Sequence, residues 1–242
     1  MSTLFVSDVH LNDARSGMVR AFVDFLSGEA READALFILG DLFDEWLGDD
    51  DQRSPHPLIC DALAQLTASG LPVSVVHGNH DFLLGRKFAA RTGCTLLGDH
   101  TVVDLYGTPV LIMHGDTLCT RDRRYQNYRK VVRNRLVQRL FLGMSFDWRA
   151  RKAAGIRSET KKDVALKADD IMDVTAKAVA AAMRKFRVRH LVHGHTHRPA
   201  VHDVDLDGEP ATRIVLGDWY GEPTILQWGP RGFKLRTLDA AT

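Results

Sequence analysis

Five short polar clusters hold the residues whose types and spacing could do chemistry. They are Ser7-Asp8-Val9-His10, Gly40-Asp41-Leu42-Phe43-Asp44, Gly78-Asn79-His80-Asp81, His114-Gly115-Asp116 and Gly194-His195-Thr196-His197. Brought together, they offer three carboxylate or amide oxygen donors and four imidazoles. That mix suits a pair of divalent ions better than one, and oxygen and nitrogen donors without thiolate favour manganese, iron or zinc. In Asp8-x-His10 and His195-x-His197, alternate residues of an extended segment point the same way, so two ligands reach one centre. Asp41 is the candidate bridge between the ions. Two cations about 3.5–4 Å apart hold a water between them, lower its pKa and neutralise charge growing on phosphoryl oxygens. Glycines before Asp41, Asn79 and His195 are expected to let the chain turn sharply there. Singly, each cluster reads as turn chemistry or a satisfied histidine. Five in this order, each at the end of a strand-like run, do not.

The elements that must position them can be read from the apolar pattern. Short β-branched runs precede every cluster: Leu4-Phe5-Val6, Ala35 to Leu39, Val73 to Val76, Val110 to Met113 and His190 to Val192, with a further run at Ile214 to Leu216. Between the early runs, Met18, Phe22, Phe25 and Leu26 recur at helical spacing, as do Leu58, Ile59, Ala62, Leu63 and Leu66. Alternating strands and helices predict an α/β layered core, and in such sheets ligands collect outside the carboxyl ends of the strands. Val201 to Leu206 and Arg213 to Leu216 flank Asp207-Gly208, a hairpin signal. Residues from about 120 to 186 lack strand runs and read as helix. Tyr125, Tyr128, Val132, Leu136 and Leu140 form one apolar stripe, and Ile171, Val174, Ala178 and Ala182 another. The expected organisation is a core of residues 1–119 and 187–242 with a helical cap inserted at 120–186.

Composition bounds the function. The 242 residues carry a net charge of only +1, but Arg121 to Lys167 holds fifteen Lys or Arg against four Asp or Glu. One segment is built for an anionic partner, and the rest is acidic. Three cysteines, Cys60, Cys94 and Cys119, form no even framework and no CxxC pair, which argues for a reducing compartment. Thr3-Leu4-Phe5-Val6 enters a strand without a basic leader, and no apolar run approaches the length of a membrane span. A cytosolic protein touching a membrane surface is expected.

The ordered set Asp-x-His, Gly-Asp-x-x-Asp, Gly-Asn-His-Asp, His and Gly-His-x-His resembles the calcineurin-like metallophosphoesterases. That resemblance implies a β-sandwich flanked by helices. By match of motif it gives one metal Asp8, His10, Asp41 and His197, and the other Asp41, Asn79, His114 and His195. Asp44 and Asp81 would orient those ligands from behind.

Longer runs narrow the resemblance: Gly40 to Asp50, His114 to Cys119, Ile171-Met172-Asp173-Val174 and Val215-Leu216-Gly217-Asp218-Trp219 look like the UDP-2,3-diacylglucosamine hydrolases, nearly end to end. The resemblance implies hydrolysis of a UDP-linked diacylated glucosamine in lipid A synthesis. It also implies two manganese ions as the usual metals and a peripheral place on the cytoplasmic face of the inner membrane. Carried over by match, the substrate contacts are Asn79, His80, Asp122, Tyr125, Arg157, Thr160, Lys167 and His195, with Asp41, Asn79 and His80 at the reacting centre. Two positions depart from that family: His80 stands where Arg is usual, and Val164 where Lys is usual. An imidazole at 80 can protonate a leaving oxygen, whereas Arg is a permanent cation. In the cap, Arg123, Arg129, Arg133, Arg149, Arg151 and Lys152 could meet a pyrophosphate or anionic headgroups, and Phe141, Leu142, Met144, Phe146 and Trp148 could line an acyl groove. No nucleic acid and no obligate protein partner are expected, since the basic surface is interleaved with apolar side chains rather than stacking platforms. The rivals are a hydrolase of soluble nucleotides or phosphoproteins on the same core, indifferent to the cap, and a scaffold without chemistry.

Overall fold

In β1 (Thr3–Val6), Leu4 and Val6 point to one face and Phe5 to the other, and all three are buried. A strand buried on both faces belongs inside a layered structure. The computed structural model describes residues 1–166 and 173–238, with the backbone alone for 158–166. In it β1 pairs in parallel with β2 (Ala35–Ile38), β2 with β3 (Val73–Val76), and β3 with β4 (Thr95–Leu97). The crossovers run through α1 (Ser16–Ser27), α2 (His56–Ala68) and α3 (Arg86–Thr92). The other edge of β1 pairs antiparallel with β10 (Thr224–Gly229), which makes a hairpin with β11 (Gly232–Thr237).

A second sheet has the order β5-β6-β7-β9-β8, from β5 (His100–Leu105), β6 (Thr108–Met113), β7 (His190–His193), β8 (Ala200–Leu206) and β9 (Glu209–Val215). β6, β7 and β9 run parallel, and the expected hairpin at Asp207-Gly208 joins β8 to β9. The two sheets face each other across Phe5, Leu39, Val76, Val110, Ile112, Val192, Ile214 and Leu226. Outside the first sheet, Leu4, Val6, Ile38 and Val75 pack on Phe22, Leu26, Ile59 and Leu63 of α1 and α2. The result is the sandwich of mixed sheets flanked by helices that the motifs imply.

Between β6 and β7 the described chain is helical: α4 (Arg123–Val132), α5 (Arg135–Leu142), α6 (Phe146–Leu166) and α7 (Ala176–Phe186). The first stripe is not continuous. Asn134 caps α5, accepting from the Leu136 and Val137 amides, and re-aims the helix. Tyr125 faces inward while Leu136 and Leu140 stand 65% and 66% exposed. The second stripe is rotated by one residue. Val179 and Met183 are the buried face of α7, packed on Leu111, Met113 and Leu191, with Val174, Ala178 and Ala182 partly buried beside them. Ile171 lies outside the described residues. The short strand β4, the edge strand β5 and the hairpin β10–β11 add to the strands expected from the sequence runs. Among the described residues no helix is long and apolar enough to cross a membrane, and the three cysteines are buried and form no disulfide.

Candidate metal centre

The parallel strands β1, β2 and β3 of one sheet and β6 and β7 of the other deliver all five clusters to one end of the sandwich. Backbone bonds lace the clusters together. The Asp8 amide donates to the Gly40 carbonyl (3.0 Å), the His10 amide to the Asp41 carbonyl (2.9 Å), and the Gly194 amide to the His114 carbonyl (2.8 Å). Side-chain oxygens complete the lacing, because the His195 amide donates to Asp8 Oδ2 (2.8 Å) and the His80 amide to Asp41 Oδ1 (2.8 Å).

The local geometry differs from an extended segment. Asp8, His10, Asp41, His195 and His197 take φ values of 53°, 51°, 52°, 71° and 54°. Left-handed backbone at non-glycine residues is held only where the surroundings over-determine it, at a cost on the order of 1–3 kcal/mol each. Alternate residues still converge, but through paired left-handed turns rather than through the pleat of a strand. The glycines play two different parts. Gly40 has φ +92° and turns the chain as expected. Gly78 and Gly194 are required by crowding, because a methyl group at Gly78 would collide with Asp41, and one at Gly194 with Ser7 Oγ and Asp8 Oδ2.

His10 Nε2 lies 3.4 Å from His197 Nε2, 3.6 Å from Asp41 Oδ2 and 3.9 Å from Asp8 Oδ1. His197 Nε2 is 3.3 Å from Asp8 Oδ1. On the other side of Asp41, His114 Nε2 is 3.5 Å from Asp41 Oδ2 and 2.9 Å from Asn79 Oδ1. Asp41 Oδ2 therefore stands between His10 and His114. Among the described residues, three overlapping groups have ligand atoms within 4.8 Å of one another: Asp8-His10-His197, His10-Asp41-His80 and Asp8-Asp41-His114. His195 is outside them, its ring 5.0 Å from that of His114.

The cluster has the character of a cation site. Asp8 Oδ2 accepts from Ser7 Oγ (2.5 Å) and the His195 amide, whereas the buried Asp8 Oδ1 has no hydrogen-bond partner and faces the histidines. Burial alone would raise the Asp8 carboxyl, but the adjacent His197 imidazole and the charges of His114 and His10 outweigh it and hold it below the usual range. Burial would likewise depress His114, yet the carboxylates of Asp41, Asp8 and Asp116 push it up to about 9. Charge that retains a proton on a buried imidazole is charge a divalent ion would neutralise.

Two of the candidate ligand nitrogens are aimed by partners behind them. His114 Nδ1 donates to the Leu39 carbonyl (2.9 Å), and His197 Nδ1 lies 3.0 Å from Asp218 Oδ2, so Nε2 of each faces the cluster. Asp218 belongs to the Val215–Trp219 run. Its role has no local signal, because it lies 21 residues from His197 and meets it through the return of β9. Asp81 works through backbone, accepting from the Leu42 amide (2.8 Å) and the Gly78 amide (2.7 Å). Asp44 Oδ1 stands 3.7 Å from His10 Nδ1, and its carbonyl accepts from His80 Nδ1 (2.8 Å).

The remaining sequence candidates are distributed around this cluster. Tyr125 stacks on His195 at 6.1 Å and donates to Asp116 Oδ2 (2.6 Å). Asp122 caps α4 by accepting from the Tyr125 amide (3.0 Å). Arg157 reaches Asp44 Oδ2 (2.9 Å) and Glu45 Oε1 (3.1 Å). Thr160, Lys167 and Val164 fall outside the residues whose side chains are described. Several cationic candidates have protein partners instead of an open surface. Arg129 pairs with Asp116 (2.6 Å) and Asp99 (2.7 Å), and Arg133 pairs with Asp99 (3.4 Å) and donates to the Gly78 carbonyl (2.8 Å). Arg149, 1% exposed, is bound to Asp50 and the Leu47 carbonyl, so it rivets α6 to the core rather than meeting headgroups.

Comparison with known proteins agrees with this geometry. The family model of the calcineurin-like phosphoesterases matches residues 1–199. A UDP-2,3-diacylglucosamine hydrolase of Salmonella arizonae is 50% identical over 235 residues, covering 97% of this chain and 98% of that protein. One from Photobacterium profundum is 47% identical over 239 residues, covering 99% and 98%. Among solved structures, an archaeal phosphodiesterase matches with a TM-score of 0.51 at 13% identity, over 98% of this chain and 100% of the other, a likeness of fold.

Proposed function

The chain belongs to the calcineurin-like phosphoesterase family, and from that premise we propose that it hydrolyses UDP-2,3-diacylglucosamine to 2,3-diacylglucosamine 1-phosphate and UMP. The observation that carries this is identity of about half, sustained over 97% of the chain, with hydrolases of that name. The match includes the helical stretch between β6 and β7, which a hydrolase of soluble nucleotides would not need.

One ion is assigned to Asp8, His10, Asp41 and His197, and the second to Asp41, Asn79, His114 and His195, with manganese as the metal. When bound, the pair supplies an acidified water as nucleophile and neutralises charge on the phosphoryl oxygens. The water oxygen bonds to the α-phosphorus, the bond from that phosphorus to the bridging oxygen breaks, and the bridging oxygen leaves with the sugar phosphate. His80, held through Nδ1 on the Asp44 carbonyl, keeps Nε2 free to give that departing oxygen a proton or hydrogen bond. Asn79 orients the transferred phosphoryl group. Asp122, Tyr125, Arg157, Thr160 and Lys167 are assigned to the sugar phosphate. The exposed Val131, Leu136, Leu140, Leu142 and Met144, set among the cationic residues of α4 to α6, suit acyl chains and the anionic cytoplasmic face of an inner membrane.

Hydrolysis of UDP-2,3-diacylglucosamine with manganese in 18O-labelled water tests the reading: the label is expected in UMP. No conversion of that lipid would return the soluble-substrate alternative. Asp41→Ala removes the shared carboxylate and is expected to reduce turnover by at least about 1000-fold; near-normal hydrolysis by that variant would remove Asp41 from the centre.

A further inference from the structure

The ligand cluster has an aromatic edge that the proposed reaction does not use. Tyr220 comes from the loop after β9, the loop that also supplies Asp218 to His197. Its ring stacks on His10 (centroids 5.4 Å, planes 26° apart) and meets His197 edge-on at 6.0 Å, yet it is 42% exposed. Over the same ring lies the Arg15 guanidinium, 3.7 Å from the centroid. Arg15 closes the short turn Asp13–Arg15 between β1 and α1, and it too is exposed.

That edge carries a cation set apart from the paired arginines around the clusters. Arg53, Arg129, Arg133, Arg149 and Arg157 are each engaged by a carboxylate. Among the described residues, no carboxylate lies within ion-pair distance of Arg15. A guanidinium resting on an aromatic face uses its π surface for that contact and keeps its N–H fork for another partner. Arg15 is thus positioned beside the centre with its donors uncommitted.

From this geometry we infer that Arg15, held on Tyr220, is a binding contact for the nucleoside half of the substrate. The inference rests on the proposed reaction, whose substrate has one apolar and one polar half. The exposed apolar side chains lie on α4 to α6, the side suited to acyl chains. The Arg15–Tyr220 edge is instead polar, bordered by Asn12 and Asp218, and its free donors match the carbonyl and hydroxyl oxygens of uracil and ribose. The phosphate of the same nucleotide stays with the ligand cluster itself, one residue contact away through His10.

The test needs no turnover. Binding of UMP and of inorganic phosphate to the manganese-loaded protein is measured by calorimetry for the parent chain, Arg15→Gln and Tyr220→Leu, with metal content measured in parallel. Both substitutions are expected to weaken UMP by about tenfold or more, the size of a charge-assisted hydrogen bond. Phosphate affinity and metal content should be unchanged. Unaltered UMP affinity in Arg15→Gln overturns the inference, as does an equal loss for UMP and phosphate, which would mark a general effect of charge. If the UMP arm behaves as expected and the diacylated lipid is not hydrolysed, the nucleoside contact stands and the substrate reading falls.

Discussion

Gly78 does not take a positive φ; it is glycine because Asp41 fills the space where a Cβ would stand. Gly78→Ala should therefore push Asp41 aside and weaken manganese binding by at least about tenfold with the fold retained, measured by metal content and circular dichroism. Gly70 is the contrast: its φ is +94° with nothing within 4 Å of a built Cβ. Gly70→Ala should cost about 1–2 kcal/mol of stability and leave metal content alone. Asp51 gives a pH dependence. It is buried and accepts from Arg53 Nε (2.9 Å) and the Leu47 amide (3.3 Å). Burial would raise its carboxyl, but the hydrogen bonds from Arg53 and then the nearby His56 imidazole hold it well below the usual range. A carboxyl depressed in the folded state stabilises above its unfolded pKa of about 3.9, and that contribution is lost as pH falls below it. Urea denaturation of the parent chain should thus show stability falling from about pH 4 downward, more steeply than in Asp51→Asn, which starts lower at neutral pH. Parallel profiles would remove Asp51 from the acid response.

At the scale of elements, α4 is sewn to the loops that carry the candidate ligands. Tyr125 and Arg129 converge on Asp116, two residues after His114, while Arg133 grips the carbonyl that precedes Asn79. These arginines bind carboxylates that are wholly or partly buried, so their worth lies in position more than in net stability. Replacing Arg133 with Met keeps the stem and removes the grip. The expected result is a loss of metal affinity of about 10-fold, the lower range for a partner behind a ligand, read by manganese titration. A drop in melting temperature with unchanged affinity would mean that Arg133 only docks the helix.

At the scale of the molecule, positive charge and exposed apolar side chains coincide on one stretch. Residues 121 to 167 hold an excess of eleven positive charges, leaving the remainder with ten negative. On this cationic stretch, α5 presents Leu136 and Leu140 to solvent. Exposed apolar side chains among cations are matched by an anionic lipid surface, to which each basic residue contributes about 1 kcal/mol. Replacing Leu136 and Leu140 with Ser should lower hydrolysis of the lipid in anionic vesicles by about tenfold, from two lost side-chain insertions. Hydrolysis of a short-chain, water-soluble analogue should be unaffected. Equal rates in both assays would exclude α5 from membrane contact.

The short apolar runs of β1 and its neighbours, the 3–4 spacing of α1 and α2, and five polar clusters at strand ends are local properties, so they were legible in the sequence, as was the layered α/β class. Edge strands such as β5 and the hairpin β10–β11 were not, because their pairing depends on a partner strand far along the chain rather than on their own pattern. The same holds at the site. Side-chain types and order announced a place for cations, but the left-handed turns at Asp8, His10 and Asp41, the packing that forbids a Cβ at Gly78, and the support of His197 by Asp218 exist only once two sheets meet. Sequence determines which donors are available and which strands carry them. Tertiary structure decided which donors face one another, because backbone strain and close approach are set by neighbours distant in the chain.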